Sequence, residues 1–193
     1  MRKIIFNDFD KNLLIWKYRG KINKGLHKNM VSVPYGFFAV VKQYDGNFTS
    51  VFGGYNVDFT AVSDIYFVRK HIEPQTWGVT DLDCAEPETG EKTFMKITGK
   101  IKFSVRDAKE LVKNISGLGP EIKISYFWIR EFLEQLRPAV KNAISQNINI
   151  IKKDINIIPS ILEIENKNNF SDISSIFYKY GLLKESFIVT HIK

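Results

Sequence analysis

The chain has 193 residues, 44% of them hydrophobic, a formal net charge of +7 and one cysteine, Cys84. That is enough chain to bury a sizeable core as one domain, or as two sub-domains sharing a boundary, and one cysteine excludes an internal disulfide framework and any multi-cysteine zinc or iron-sulfur site. The longest apolar run, residues 37–41, is far short of the roughly 20 residues a membrane-spanning helix needs, and MRKIIFNDFD reaches Asp8 too soon for a secretory signal, so a cytoplasmic location is expected.

Leu13–Lys17, residues 30–33 and Phe37–Gln43 are short runs rich in apolar, aromatic and β-branched residues, and they read as strands. Pro34-Tyr35-Gly36 precedes the third of these and Asp45-Gly46 follows it. Asp-Gly tolerates the positive φ of a tight hairpin, so the strand is expected to fold back on Phe48–Phe52, which Gly53-Gly54 ends. Residues 55–59 place Tyr55, Val57 and Phe59 on one face. Residues 65–68 and 75–79 read as further strands, separated at Glu73-Pro74 by a ring that removes a ladder donor. Asp81, Asp83, Glu86, Glu88 and Glu91 then gather around Cys84 without a base. Their spacing matches no calcium-loop pattern, so an acidic hairpin loop is expected rather than a metal site, and acids beside Cys84 disfavour its thiolate. Residues 93–105 alternate most clearly. Met95, Ile97, Ile101, Phe103 and Val105 form an odd face that must cover a core, while Lys96, Lys100 and Lys102 line the even face.

At Asp107 the period changes from two to 3.6. Asp107 as N-cap, with Glu110 three residues on, predicts a helix over 108–115 that ends at Gly117. Pro120 and Glu121 predict the opening of a second helix, which carries Phe127, Trp128, Phe132, Leu133 and Leu136 toward a core and kinks or restarts at Pro138. Val140, Ile144, Ile148 and Ile151 continue the stripe. Pro159 opens another helix through Ile161, Leu162, Ile164, Ile173, Ile176 and Phe177; Gly181 then stands where a helix C-cap belongs, and residues 182–192 read as a closing strand. The fold class is therefore α+β: an antiparallel β-rich part over about 13–106, then helices packed on it and a returning strand over about 107–192.

Lys11, Lys17, Arg19, Lys21, Lys24, Lys28 and Lys42 fall in a segment, 11–44, that contains no acid, so this segment alone holds the whole net charge. Three readings are open: a solvated surface, contact with anionic lipid headgroups, or contact with nucleic-acid phosphate. Trp16, Tyr18, Tyr35, Phe37 and Phe38 interleave the lysines, but composition does not choose among the three. His27, His71 and His191 lie in different expected elements without metal-ligand spacing. Gly53-Gly54 and Gly117-Leu118-Gly119-Pro120 lack the lysine and hydroxyl residue of a phosphate loop, and no Gly-x-Ser-x-Gly elbow occurs. No catalytic residue, metal ligand or cofactor is assigned, and no enzyme is expected.

The order of these signals resembles the SPFH (band 7) domains, the group of stomatin, prohibitin, flotillin and HflK/C, and within it the bacterial and phage virion-core-protein-like branch. Trp16-Lys17-Tyr18, the apolar run 37–41, Asp45-Gly46 and Gly54-Tyr55 are similar to the opening of that branch. Tyr66-Phe67-Val68 with Trp77-Gly78, the strand ending at Asp107 and the closing Tyr180-Gly181-Leu182 are similar to its later blocks. The resemblance covers roughly residues 13–192. It implies an α+β domain that acts as a non-enzymatic scaffold, forms homo-oligomers, recruits protein partners and associates with membranes. With the basic segment, the expectation is a peripheral protein at the inner membrane face that meets anionic lipid through Lys11, Lys17, Arg19, Lys21, Lys24, Lys28 and Lys42. The alternative is a phage-derived or regulatory nucleic-acid-binding module using segment 11–44.

Overall fold

Both the strand-rich first half and the helix-rich second half are realised in the computed structural model, which describes residues 1–5, 10–23, 27–85, 92–167 and 177–193. The architecture is α+β. In chain order the strands are β1 (Arg2–Ile5), β2 (Leu13–Lys17), β3 (Asn29–Ser32), β4 (Phe37–Gln43), β5 (Phe48–Phe52), β6 (Asn56–Phe59), β7 (Val62–Arg69), β8 (Gln75–Ala85) and β9 (Lys92–Val105). There follow α1 (Ala108–Ile115), β10 (Glu121–Lys123), α2 (Ile124–Phe127), a π-helical stretch (Trp128–Leu133), α3 (Glu134–Gln146), α4 (Ile148–Lys153), α5 (Ile158–Lys167) and the returning β11 (Leu182–Ile192). The chain divides into two units, one of residues 1–72, 104–127 and 179–183, the other of residues 73–103, 128–178 and 184–193. Each unit takes strands from the first half and further elements from the second.

In the first unit β4 holds four consecutive buried residues, Phe38, Ala39, Val40 and Val41, so both of its faces are covered. It sits in the sheet order β10-β2-β7-β4-β5, beside a smaller sheet β1-β3-β6. Ala39 and Val41 share a core cluster with Ile4, Val31, Val33, Val62, Ile65 and Phe67. Each of the valine, isoleucine and phenylalanine side chains so withdrawn from water contributes about 1.5–3 kcal/mol. Helix α1 packs on β4 and β5 and buries Leu111, Val112 and Ile115. The β4–β5 hairpin closes as expected at Asp45-Gly46. Gly46 N–H donates to the Gln43 carbonyl at 3.0 Å and Gln43 N–H to the Asn47 carbonyl at 2.9 Å, with Gly46 at φ +86°, a turn followed by a left-handed residue.

Asp107 caps α1 as the sequence predicts, its Oδ1 accepting from the N–H groups of Lys109 at 3.0 Å and Glu110 at 3.1 Å. The Asp107 N–H, which a capping box would give to Glu110, donates instead to the Gly181 carbonyl at 2.8 Å. Glu110 therefore turns outward and pairs with Lys113 at 2.8 Å. Pro120 does not open a helix. Glu121–Lys123 forms β10 along the edge of β2, with Ile122 opposite Ile15, and the Lys17 N–H donates to the Pro120 carbonyl at 2.7 Å. The polar-apolar-polar alternation of Glu121-Ile122-Lys123, with Ile122 buried, outweighs the helix signal of Pro120, and α2 starts only at Ile124.

In the second unit the sheet runs β11-β9-β8. The odd face of β9 is buried as predicted, with Met95, Ile97, Ile101 and Phe103 each at most 5% exposed. Phe103 packs in one aromatic cluster with Trp128, Phe132 and Phe177, and Trp128 Nε1 donates to the Thr76 carbonyl at 3.0 Å. Gly99 faces Trp77 across the β8–β9 pair. A Cβ there would overlap the indole and the Ile188 carbonyl, and the ring stacks on Phe187 with centroids 4.9 Å apart. Pro138 lies inside α3, which follows the π-helical stretch and ends at Gln146, so the apolar stripe resumes in a separate α4. Ile164, expected on the core side, is exposed, whereas Ile161 and Leu162 are buried. Ile173 and Ile176 lie outside the described residues.

Candidate anionic-surface interface

Of the cations expected to act together in segment 11–44, Lys17 and Lys42 lie on β2 and β4 of one sheet, while Lys11, Arg19, Lys21 and Lys28 lie in the connections between strands. Three of the seven meet an acid contributed by a distant part of the chain. Lys17 Nζ lies 2.6 Å from Asp64 Oδ1 on β7 and 5.6 Å from the centre of the Tyr66 ring. The hydrogen bond to Asp64 raises its pKa above the ordinary lysine value against the opposing effect of burial. Arg19 Nη2 lies 3.2 Å from Glu121 Oε1 on β10, and Lys28 Nζ lies 4.0 Å from Asp58 Oδ2 on β6. Lys42 Nζ sits 5.7 Å from the centre of the Phe48 ring. Lys11 and Lys21 are exposed, Lys21 at the rim of an open cleft with Tyr18, Tyr44 and Asp64. Lys24 lies outside the described residues.

One residue the sequence reading passed over organises this segment. Asn29, fully buried at the start of β3, accepts from the Asn23 N–H at 2.8 Å and donates back to the Asn23 carbonyl at 2.9 Å and the His27 carbonyl at 3.3 Å. A buried amide is retained where its hydrogen bonds are made, and here it ties the approach to β3 down from within. An asparagine beside a β-branched run is a weak sequence signal, because the residues it holds are irregular.

The even side of β9 contrasts with that segment. Lys96, Lys100 and Lys102 are exposed along it, with Phe94 on the same side at 64% exposure. Lys102 pairs with Glu185 on β11 at 3.0 Å. Lys96 and Lys100 have no carboxylate partner among the described residues. The Lys96 N–H donates to the Lys193 carbonyl at 2.6 Å and the Lys193 N–H returns to the Lys96 carbonyl at 2.9 Å. This reciprocal pair sets the two residues directly opposite each other with side chains on one face. The alternation of β9 announced its lysines; the facing Lys193 depends on the register of a strand about ninety residues away, for which the sequence carries no local signal.

Asp81, Asp83 and Cys84, expected in the acidic hairpin loop, lie instead in β8, whose pairing with β9 runs on to Ala85 opposite Lys92; residues 86–91 lie outside the described residues. Among the described residues no group of three or more His, Cys, Asp or Glu side chains is arranged to hold a metal ion, and no helix is long and apolar enough to cross a membrane. His27 and His191 are exposed, while His71 bridges to Ser104. Comparison with protein-family models and with curated proteins finds no match.

Proposed function

We propose that this chain is a non-enzymatic scaffold of SPFH-like build that self-associates and lies peripherally on anionic membrane, meeting it with the solvent-facing side of the β8–β9–β11 sheet. The observation that carries the reading is the row of exposed cations on β9, where Lys96 and Lys100 lack acidic partners among the described residues. Near anionic headgroups each lysine contributes on the order of 1 kcal/mol, and the exposed Phe94 ring adds the aromatic character favoured at a membrane interface. Segment 11–44 is the weaker candidate, because Asp64, Glu121 and Asp58 already engage three of its cations. Self-association has its natural seat on β11, an edge strand of 11 residues with Leu183 and Ile188 about half exposed, since an edge presents unpaired backbone groups to another strand.

The test is flotation of the purified protein with phosphatidylcholine vesicles and with vesicles containing phosphatidylserine, at low and physiological salt. Wild type is expected to float only with the anionic vesicles. The double substitution Lys96→Gln, Lys100→Gln should abolish flotation, while Lys11→Gln, Lys21→Gln should retain it. Equal behaviour of the two variants would overturn the assignment to the sheet face. A duplex DNA shift that weakens steeply with salt, without flotation, would put the nucleic-acid reading in its place. Sedimentation velocity checks assembly, and a monomer at all concentrations would overturn the self-association part of the reading.

A further inference from the structure

We infer that a depression on the solvent side of β9 and β11 is a binding site for a dianionic phosphate group, either a phosphate monoester on a lipid or free inorganic phosphate. The inference rests on the membrane-scaffold reading only for the source of the ligand. The depression has a volume of about 160 Å³ and is lined by Lys96, Thr98, His191 and Lys193. A water's share of liquid volume is about 30 Å³, so the space suits a tetrahedral oxyanion with a few waters.

Two features make this more than a group of surface lysines. Lys96 and Lys193 are a directly opposed cross-strand pair, fixed by reciprocal backbone hydrogen bonds of 2.6 and 2.9 Å. Like charges so placed repel each other, and neither ammonium pairs with an Asp or Glu side chain among the described residues. An anion seated between the two ammonium groups turns that repulsion into two charge-assisted hydrogen bonds. The hydroxyls add direction. Thr190 Oγ1 donates to the Thr98 carbonyl at 3.2 Å and lies 3.4 Å from Thr98 Oγ1. With the Thr190 hydrogen committed, the Thr98 hydroxyl is a donor that can turn to an oxyanion in the depression. Lys96 and Lys193 bring three donors each and no acceptor, and His191 adds a ring N–H. A phosphate monoester carries about −1.5 to −2 near neutral pH, against −1 for a diester, and two facing ammonium groups favour the former.

The experiment uses the full chain in two arms. In the first, inorganic phosphate is titrated against chloride at constant ionic strength while backbone amide resonances are followed. Saturable shifts centred on residues 96–98 and 191–193 are expected, with roughly tenfold weaker half-saturation in Lys96→Gln and a smaller loss in Thr98→Val, whose near-identical shape keeps the sheet intact. In the second, flotation compares phosphatidylcholine vesicles carrying phosphatidic acid with vesicles carrying phosphatidylserine at matched surface charge. Preference for phosphatidic acid that Lys96→Gln removes supports the site with a lipid source. Saturable phosphate binding without flotation supports it with a soluble source and overturns the membrane reading. Equal flotation on both lipids with no saturable phosphate shift overturns the site and leaves the membrane reading standing. Neither binding nor flotation overturns both, and phosphate shifts that are untouched by Lys96→Gln overturn the site.

Discussion

The cations of segment 11–44 and those on the even side of β9 are chemically the same and structurally opposite. In the first region, positive charge that looks concentrated along the chain is dispersed by folding, because β6, β7 and β10 bring Asp58, Asp64 and Glu121 to Lys28, Lys17 and Arg19. In the second, lysines that look diluted by alternation are gathered, because the residue that follows β11, Lys193, is set against Lys96. A run of like charge in sequence is therefore a poor guide to a charged surface in a β-rich fold. Strand pairing determines which charges meet, and pairing is non-local.

The largest effect expected from breaking this comparison comes from Gly99, the small residue beneath the Trp77 indole in the sheet that carries the lysines. Gly99→Val forces a side chain into the ring and the Ile188 carbonyl, and overpacking of this kind costs about 3 kcal/mol. Urea unfolding followed by tryptophan fluorescence checks it. A cost below about 1 kcal/mol would mean that Trp77 and Phe187 do not define the sheet's packing. Gly117, by contrast, has open space around it and no positive φ, so Gly117→Ala should stay within about 0.5 kcal/mol of wild type.

A smaller effect sharpens the other side. The triple substitution Asp58→Asn, Asp64→Asn, Glu121→Gln removes the three acids that occupy Lys28, Lys17 and Arg19. These side chains are 25–65% exposed, so screening limits the loss to about 1–2 kcal/mol in total. If engagement by acids is what keeps segment 11–44 from anionic vesicles, the triple variant should float more readily than wild type; unchanged flotation would show that geometry rather than pairing silences the segment. Asp64→Asn alone has a pH signature. The Lys17 pKa is raised in the folded state, with Asp64 the principal cause. The stability this contributes is fully present below the ordinary lysine pKa of 10.5 and is lost as pH rises through the higher folded value. Wild type should thus exceed Asp64→Asn in stability, by up to about 1 kcal/mol, through neutral pH to about pH 10, and the difference should close above that.

Much of the fold could be read from the chain where the controlling interactions are local. The β4–β5 hairpin follows from Asp45-Gly46, α1 from the Asp107 cap, and the buried odd face of β9 from strict alternation. What escaped reading depends on distant partners. Strand β1 is stabilised by parallel pairing of Arg2–Ile5 with β3, for which four residues carry no signal, and β10 exists because β2 offers an edge for Ile122 to cover. The candidate site divides in the same way. The lysines of β9 were visible as a periodic row, whereas the opposed Lys193 and the acids that quiet segment 11–44 become neighbours only through register.

The smallest expected effect is the most telling about the lysine pair. If Lys96 and Lys193 oppose each other for the sake of an anion, the empty protein bears an electrostatic cost that selection for stability alone would have removed. Lys193→Glu converts the like-charge pair into an opposite-charge pair, a change worth about 0.2–1 kcal/mol across antiparallel strands. For a chain of 193 residues that corresponds to a melting temperature higher by about 1–3 °C. The same substitution places a carboxylate where the phosphate oxygens would sit, so the variant should be more stable than wild type and blind to phosphate. Sodium chloride should narrow the stability difference, because it screens repulsion in one protein and attraction in the other. A variant that melts lower than wild type at low salt, or that still binds phosphate, would show that the two ammonium groups point away from each other and that the pair has no bearing on ligand binding.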